Sequence, residues 1–65
     1  MATIGENLKR IRATRGITQH QLAKRSGLTY STLAKIEGGF VKKPGVQMIA
    51  KIAKALNIYM EDLLK

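Results

Sequence analysis

Apolar positions along this chain fall into short stripes of helical period, each ended by glycine or proline. Ile4, Leu8 and Ile11 share one face while Lys9, Arg10 and Arg12 lie mostly on others, which predicts a first helix starting near Ile4 and stopping at Gly16. Thr3-Ile-Gly-Glu6 has the form of a capping box for that helix, and Arg15 suits the dipole at its far end. A second box, Thr18-Gln-His-Gln21, starts a helix that buries Leu22 and Ala23 and ends at Ser26-Gly27. Thr29 caps a third, in which Leu33 and Ile36 form the inward stripe before Gly38-Gly39 breaks it. The stretch Phe40-Val-Lys-Lys-Pro-Gly-Val46 reads as a loop, with Phe40 or Val41 turned inward. Val46, Ile49, Ile52, Ala53 and Leu56 make the clearest stripe, with Gln47, Lys51 and Lys54 outward, and Asn57 or Ile58 interrupts it. A short last helix, Met60-Glu-Asp-Leu-Leu64, carries its acidic residues in the first turn, where the dipole favours them. No segment alternates at period two. The expectation is an all-α, compact five-helix bundle forming a single domain over residues 1–65.

Helices as short as the second and third are unstable alone in water, so tertiary contacts must hold them as a unit. Ser26-Gly27-Leu28 is the short glycine-containing turn that sets two helices at a steep angle, with Leu28 pinning the corner. The third helix then turns Tyr30, Ser31, Ala34 and Lys35 outward. A chain of 65 residues needs efficient packing to fold, so an outward face of this kind calls for a use.

Charge suggests which use. Twelve Lys and Arg against four Asp and Glu give a formal net charge of +8, more than solubility requires and suited to a polyanionic partner. There is no cysteine, so neither disulfides nor a cysteine-ligated zinc can staple the fold. No apolar run approaches the length of a membrane span and the first residues lack the pattern of a signal peptide, so a cytoplasmic setting is expected. An enzyme is not expected: no nucleophile has a base nearby, no carboxylates have the setting of an acid–base pair, and no glycine loop opens a helix to cradle phosphate. No metal or cofactor site is read. His20 is a lone surface histidine, and the three methionines are packing residues.

Gly16-Ile-Thr-Gln19, Gln21-Leu-Ala-Lys24, Gly27-Leu-Thr29, Ile36-Glu-Gly38, Ile52-Ala-Lys-Ala-Leu56 and the Asp-Leu-Leu end together resemble the helix-turn-helix DNA-binding domain of phage repressors and Cro, the xenobiotic-response-element type. The likeness runs over nearly the whole chain, with first, fourth and fifth helices in order around the motif. It implies a transcriptional regulator, a repressor, whose third helix enters the major groove while the second crosses the backbone. Carried over by position, it implies base contacts from Tyr30, Ser31 and Lys35, with Thr32 and Ala34 at the edge of the footprint. Gln19 matches a glutamine that holds a phosphate at the start of the second helix, and Lys42 and Lys43 match a second backbone clamp. Arg12 and Glu37 match a structural pair that ties the first helix to the end of the third.

The chemistry of these side chains sets limits. Lysine can read guanine, and serine or threonine can meet donors or acceptors, but neither is as selective as Arg on guanine or Gln on adenine. Tyr30 stands where many relatives carry an amide; its ring can pack on a thymine methyl or its hydroxyl can hold a phosphate. Tyr59 stands where Ser or Thr commonly caps the last helix. Each assignment has a plain competitor, a solvated face for the third helix and its loop, or a helix cap for Gln19. Lys51, Lys54 and Lys65 are assigned to solubility. Limited readout favours a weak homodimer on two half-sites, paired through Ile58, Tyr59, Met60 and Leu64. The competing reading is a protein-interaction module, such as an antitoxin or anti-repressor partner; a lipid-surface role is disfavoured because the apolar stripes are consumed by the core.

Overall fold

Three of the helix starts are written by threonine. In the computed structural model, which describes residues 3–65, the Thr3 hydroxyl accepts from the Glu6 N–H at 3.1 Å and the Glu6 carboxylate accepts from the Thr3 N–H at 3.1 Å, starting α1 (Ile4–Thr14). The same exchange between Thr18 and Gln21, at 3.1 and 2.9 Å, starts α2 (Gln19–Ser26), and Thr29 accepts from the Thr32 N–H to start α3 (Tyr30–Glu37). The bond from the Thr3 N–H, then the Thr3 hydroxyl, holds the Glu6 carboxyl below its ordinary value of 4.5. The chain continues into α4 (Val46–Leu56) and α5 (Met60–Leu64), with no strand among the described residues. α5 begins at Met60 despite the tyrosine before it, because the Asp62 carboxylate accepts from the Tyr59 N–H at 3.1 Å.

Ends are as specific as starts. Gly27 takes a left-handed φ of 75°, letting the Leu28 N–H return to the Ala23 carbonyl at 3.0 Å and closing the turn between α2 and α3. Asn57, at φ 57°, ends α4 in the same way, resolving the choice between Asn57 and Ile58. The core under these helices is a single cluster centred on the fully buried Leu8, Leu22, Leu33, Ile36, Ile52, Leu56 and Leu63. α1 packs on α3 and α5, α2 on α3 and α4, and α4 on α5.

Some sequence expectations shift. Val41 packs against the core while Phe40 stays 84% exposed, settling which residue of the loop turns in. Val46 does not join the buried stripe of α4: it is that helix's first residue and is exposed. Arg15, read as serving the end of its own helix, instead sends Nη1 to the Leu56 carbonyl oxygen at 2.6 Å, satisfying the C-terminal end of α4. Asn7 was not singled out, yet it is buried on α1 and its Nδ2 donates to the carbonyl oxygens of Leu63 at 2.9 Å and Lys65 at 3.0 Å. One side chain thus supplies donors to the end of α5 and ties it to α1.

Gly5 is the other residue that sequence periodicity passed over. It is buried where α1 crosses the end of α3, and a Cβ there would strike the Ile36 carbonyl oxygen and lie 3.0 Å from that of Glu37. Both neighbours are backbone, so neither can swing aside. Gly5→Ala should therefore lower stability by about 2–3 kcal/mol despite alanine's better helix propensity, a fall of roughly 10 °C or more in Tm. An unchanged thermal melt would show that α1 and α3 can separate without cost.

Candidate nucleic-acid interface

The polar centre of the molecule is the Glu37 carboxylate at the end of α3. It is 4% exposed, and the Arg12 guanidinium meets it with two bonds, Nε to Oε2 at 2.7 Å and Nη2 to Oε1 at 3.0 Å. Arg12 Nη1 donates in turn to the Ile17 carbonyl oxygen at 2.8 Å, in the connection between α1 and α2. The Gln19 amide adds a third bond to the carboxylate, Nε2 to Oε1 at 3.0 Å. Gln19 therefore has an internal partner that its sequence position did not announce, and one of its two N–H groups is engaged. Among the described residues no fully buried side-chain nitrogen or oxygen lacks a hydrogen bond.

With α3 fixed by Leu33, Ile36 and Glu37 on its inward side, its outward side is set by helical period. Tyr30, Ser31 and Lys35 are exposed, and Thr32 and Ala34 are half-buried. The Thr32 hydroxyl accepts from the Thr29 hydroxyl at 2.8 Å, which draws it into the cap of its own helix. Tyr30 is not a bare ring on this surface. His20, in the first turn of α2, stacks on it with ring centroids 4.0 Å apart and planes 6° from parallel. No local spacing marks this pair, since the two rings meet only when α2 and α3 take up their mutual angle.

The loop after α3 is anchored at its root. The Phe40 and Val41 N–H groups both donate to the Lys35 carbonyl oxygen, at 2.9 and 3.2 Å, and Pro44 is buried. Lys42 and Lys43 project as exposed side chains between these anchors. The remaining candidates lie on other elements. Ile58 and Met60 are half-buried against the core, Tyr59 and Leu64 are exposed, and Ile58 lines an open cleft of about 280 Å³ with Ile11, Arg10, Arg15 and Asp62. Among the described residues no group of His, Asp and Glu is placed to hold a metal, and no helix is long and apolar enough to cross a membrane.

A helix-turn-helix family description matches residues 8–63. The chain belongs to the helix-turn-helix family. Within this family it is 38% identical over 64 residues to the HTH-type transcriptional repressor RghR of Bacillus subtilis, covering 98% of this chain and 47% of that protein. The chain spans about half the length of the Bacillus relatives it matches. Among solved structures it resembles SinR, the master regulator for biofilm formation, in complex with DNA, with a TM-score of 0.93, 28% identity and 97% and 100% of the two chains covered. It also resembles the restriction-modification controller protein C.AhdI from Aeromonas hydrophila, with a TM-score of 0.86, 33% identity and 92% and 89% coverage.

In this helix-turn-helix chain, the buried Glu37 carboxylate makes the end of α3 sensitive to substitution. Breaking a buried, multiply bonded pair by removing one charge leaves the other uncompensated, and here Arg12 would keep its position under α3 without its counterion. Glu37→Gln should cost on the order of 3 kcal/mol and lower Tm by more than about 10 °C. A melt matching the parent protein would show that the pair behaves as an exposed one.

Proposed function

We propose that this chain binds double-stranded DNA in a sequence-specific manner as a transcriptional regulator, a repressor, with α3 in the major groove. The observation that carries the reading is the division of α3: one side is locked by core packing and the Arg12–Glu37 pair, and the other offers Tyr30, Ser31 and Lys35 to solvent. The likeness to a DNA-bound SinR structure supports that placement. Residues 1–65 act as one DNA-binding unit, with no enzymatic step and no cofactor in the mechanism, and the role belongs with the DNA of the cytoplasm.

Each candidate then has a distinct task. Tyr30, Ser31 and Lys35 read base edges, with Thr32 beside them supplying contact mainly through its methyl group because its hydroxyl serves the cap. Gln19 gives its second amide N–H to a phosphate, together with the open N–H groups at the start of α2, while its first remains on Glu37. Lys42 and Lys43 clamp the backbone from the loop rooted on the Lys35 carbonyl. The net charge of +8 supplies the attraction common to every sequence.

Positioning and reading separate in a binding experiment. Lys43→Ala and Gln19→Ala should weaken binding to every duplex about equally, and Lys43→Ala should lower the salt slope by about one unit. Lys35→Ala and Ser31→Ala should change which base is preferred. If Lys35→Ala only flattened the salt dependence and left base preference intact, α3 would not lie in the groove.

The reading face has few selective side chains, so specificity comes from two half-sites bound by a weak homodimer. Its contact surface is Ile58, Tyr59, Met60 and Leu64, with exposed Tyr59 and Leu64 at its centre and half-buried Ile58 and Met60 beneath. Two-fold symmetry then spaces the reading helices about 34 Å apart on an approximately palindromic site. Analytical ultracentrifugation with an operator duplex should show two chains per site; saturation at one would exclude the dimer and leave DNA binding standing.

A further inference from the structure

The His20–Tyr30 stack joins the two halves of the helix-turn-helix outside the core. His20 is the second residue of α2 and Tyr30 the first residue of α3, so the rings bridge the first turns of both helices. Tyr30 is 45% exposed, so part of the residue is covered within the fold and part is open to a partner. At 4.0 Å and 6° the imidazole covers one face of that ring. What remains for a partner is the opposite face, the ring edge and the hydroxyl. Building on the DNA-binding reading above, we infer that His20 is a positioning residue for sequence readout: it touches no base, and it fixes the ring through which Tyr30 does.

The placement gives the inference its physical content. With α3 in the groove, α2 crosses the backbone, so a side chain on the first turn of α2 stands at the groove's edge. From there His20 acts on specificity through Tyr30. A ring already held in one orientation gives up less freedom on binding, and it meets only those base edges that suit this orientation. The covered face also narrows the chemistry of Tyr30. It can lay its open face on a thymine methyl or direct its hydroxyl to an acceptor, but it cannot insert between two bases, which needs both of its faces. Specificity at one base pair is thereby shared between a residue in the groove and one outside it.

A double-mutant cycle read by selection from random duplex DNA tests this, using the full chain as the parent and His20→Ala, Tyr30→Ala, the double variant and His20→Phe. His20→Ala should loosen preference roughly threefold to tenfold at the base pair that Tyr30→Ala also loosens, and at no other. In the Tyr30→Ala background, His20→Ala should have no further effect. His20→Phe, which keeps a flat ring, should restore the preference. Proton NMR of the free proteins adds a readout independent of DNA, because Tyr30 ring protons should lose their ring-current shift in His20→Ala and keep one in His20→Phe. Additive effects of the two alanine variants would overturn the inference, as would a uniform loss on all duplexes with a lower salt slope, which would make His20 a phosphate contact. A parent chain with no preference among duplexes would instead overturn the DNA-binding reading on which the inference rests.

Discussion

A buried carboxylate at the C-terminal end of a helix is placed against two costs, desolvation and the negative end of the helix dipole. Glu37 occupies that position, and the molecule is organised around making it tolerable. Arg12 brings a planar fork from α1, Gln19 an amide from α2, and a further Arg12 donor, on Nη1, reaches the connection at Ile17. Three helices and a turn are thus referred to one pair of oxygen atoms. Apolar residues in place of the whole pair could fill the same space, but they would remove the bonds that tie α1 and α2 to the end of α3. Gly5 belongs to the same junction, because α1 approaches the carbonyls of Ile36 and Glu37 too closely for any side chain.

The second constraint is size. So short a chain buries one core, and seven large side chains fill most of it. The remaining order comes from polar atoms that close helix ends: Thr3, Thr18 and Thr29 at starts, Asn7 at the end of α5, and Arg15 at the end of α4. These bonds let the outward face of α3 go without packing duties. The loop that carries Lys42 and Lys43 is held similarly, by backbone bonds to Lys35 and by the half-buried Val41 packed against the core, so its basic side chains need no partners within the fold.

Helix order, the three threonine caps and the glycine turn could be read from the sequence because each is local: the bond partners lie within a few residues of each other. What could not be read lies between elements. Asn7 stands in the Ile4–Leu8–Ile11 stripe, and a polar residue in a buried stripe was the one signal that it has a dedicated partner; that the partner is the end of α5 depends on tertiary placement. Gly5 reads as ordinary helix interior until another backbone is set against it. Val46 carries the hydrophobicity of a core residue but faces solvent, since periodicity says nothing of where a helix begins relative to the core's edge, and Phe40 lies in a loop, where no period distinguishes it from Val41. The candidate site divides in the same way. The sequence singled out the exposed side chains of α3 and its loop, whereas the Gln19–Glu37 bond and the His20–Tyr30 stack required the angle between helices.

If Tyr30, Ser31 and Lys35 read bases as proposed, the way α3 is held offsets their weak chemical selectivity. Lysine and serine discriminate bases poorly when they are free to choose their own geometry, because a mobile donor can satisfy itself on several base edges. α3 is restrained at its C-terminal end by the carboxylate network and at its N-terminal end by the Thr29 cap. Restraint at both ends opposes the tilts and slides by which a short helix on DNA would accommodate the wrong sequence. On the proposed DNA-binding reading, the same side chains gain selectivity from the bonds that hold the helix carrying them, and the buried charge that makes the fold vulnerable is one of those bonds.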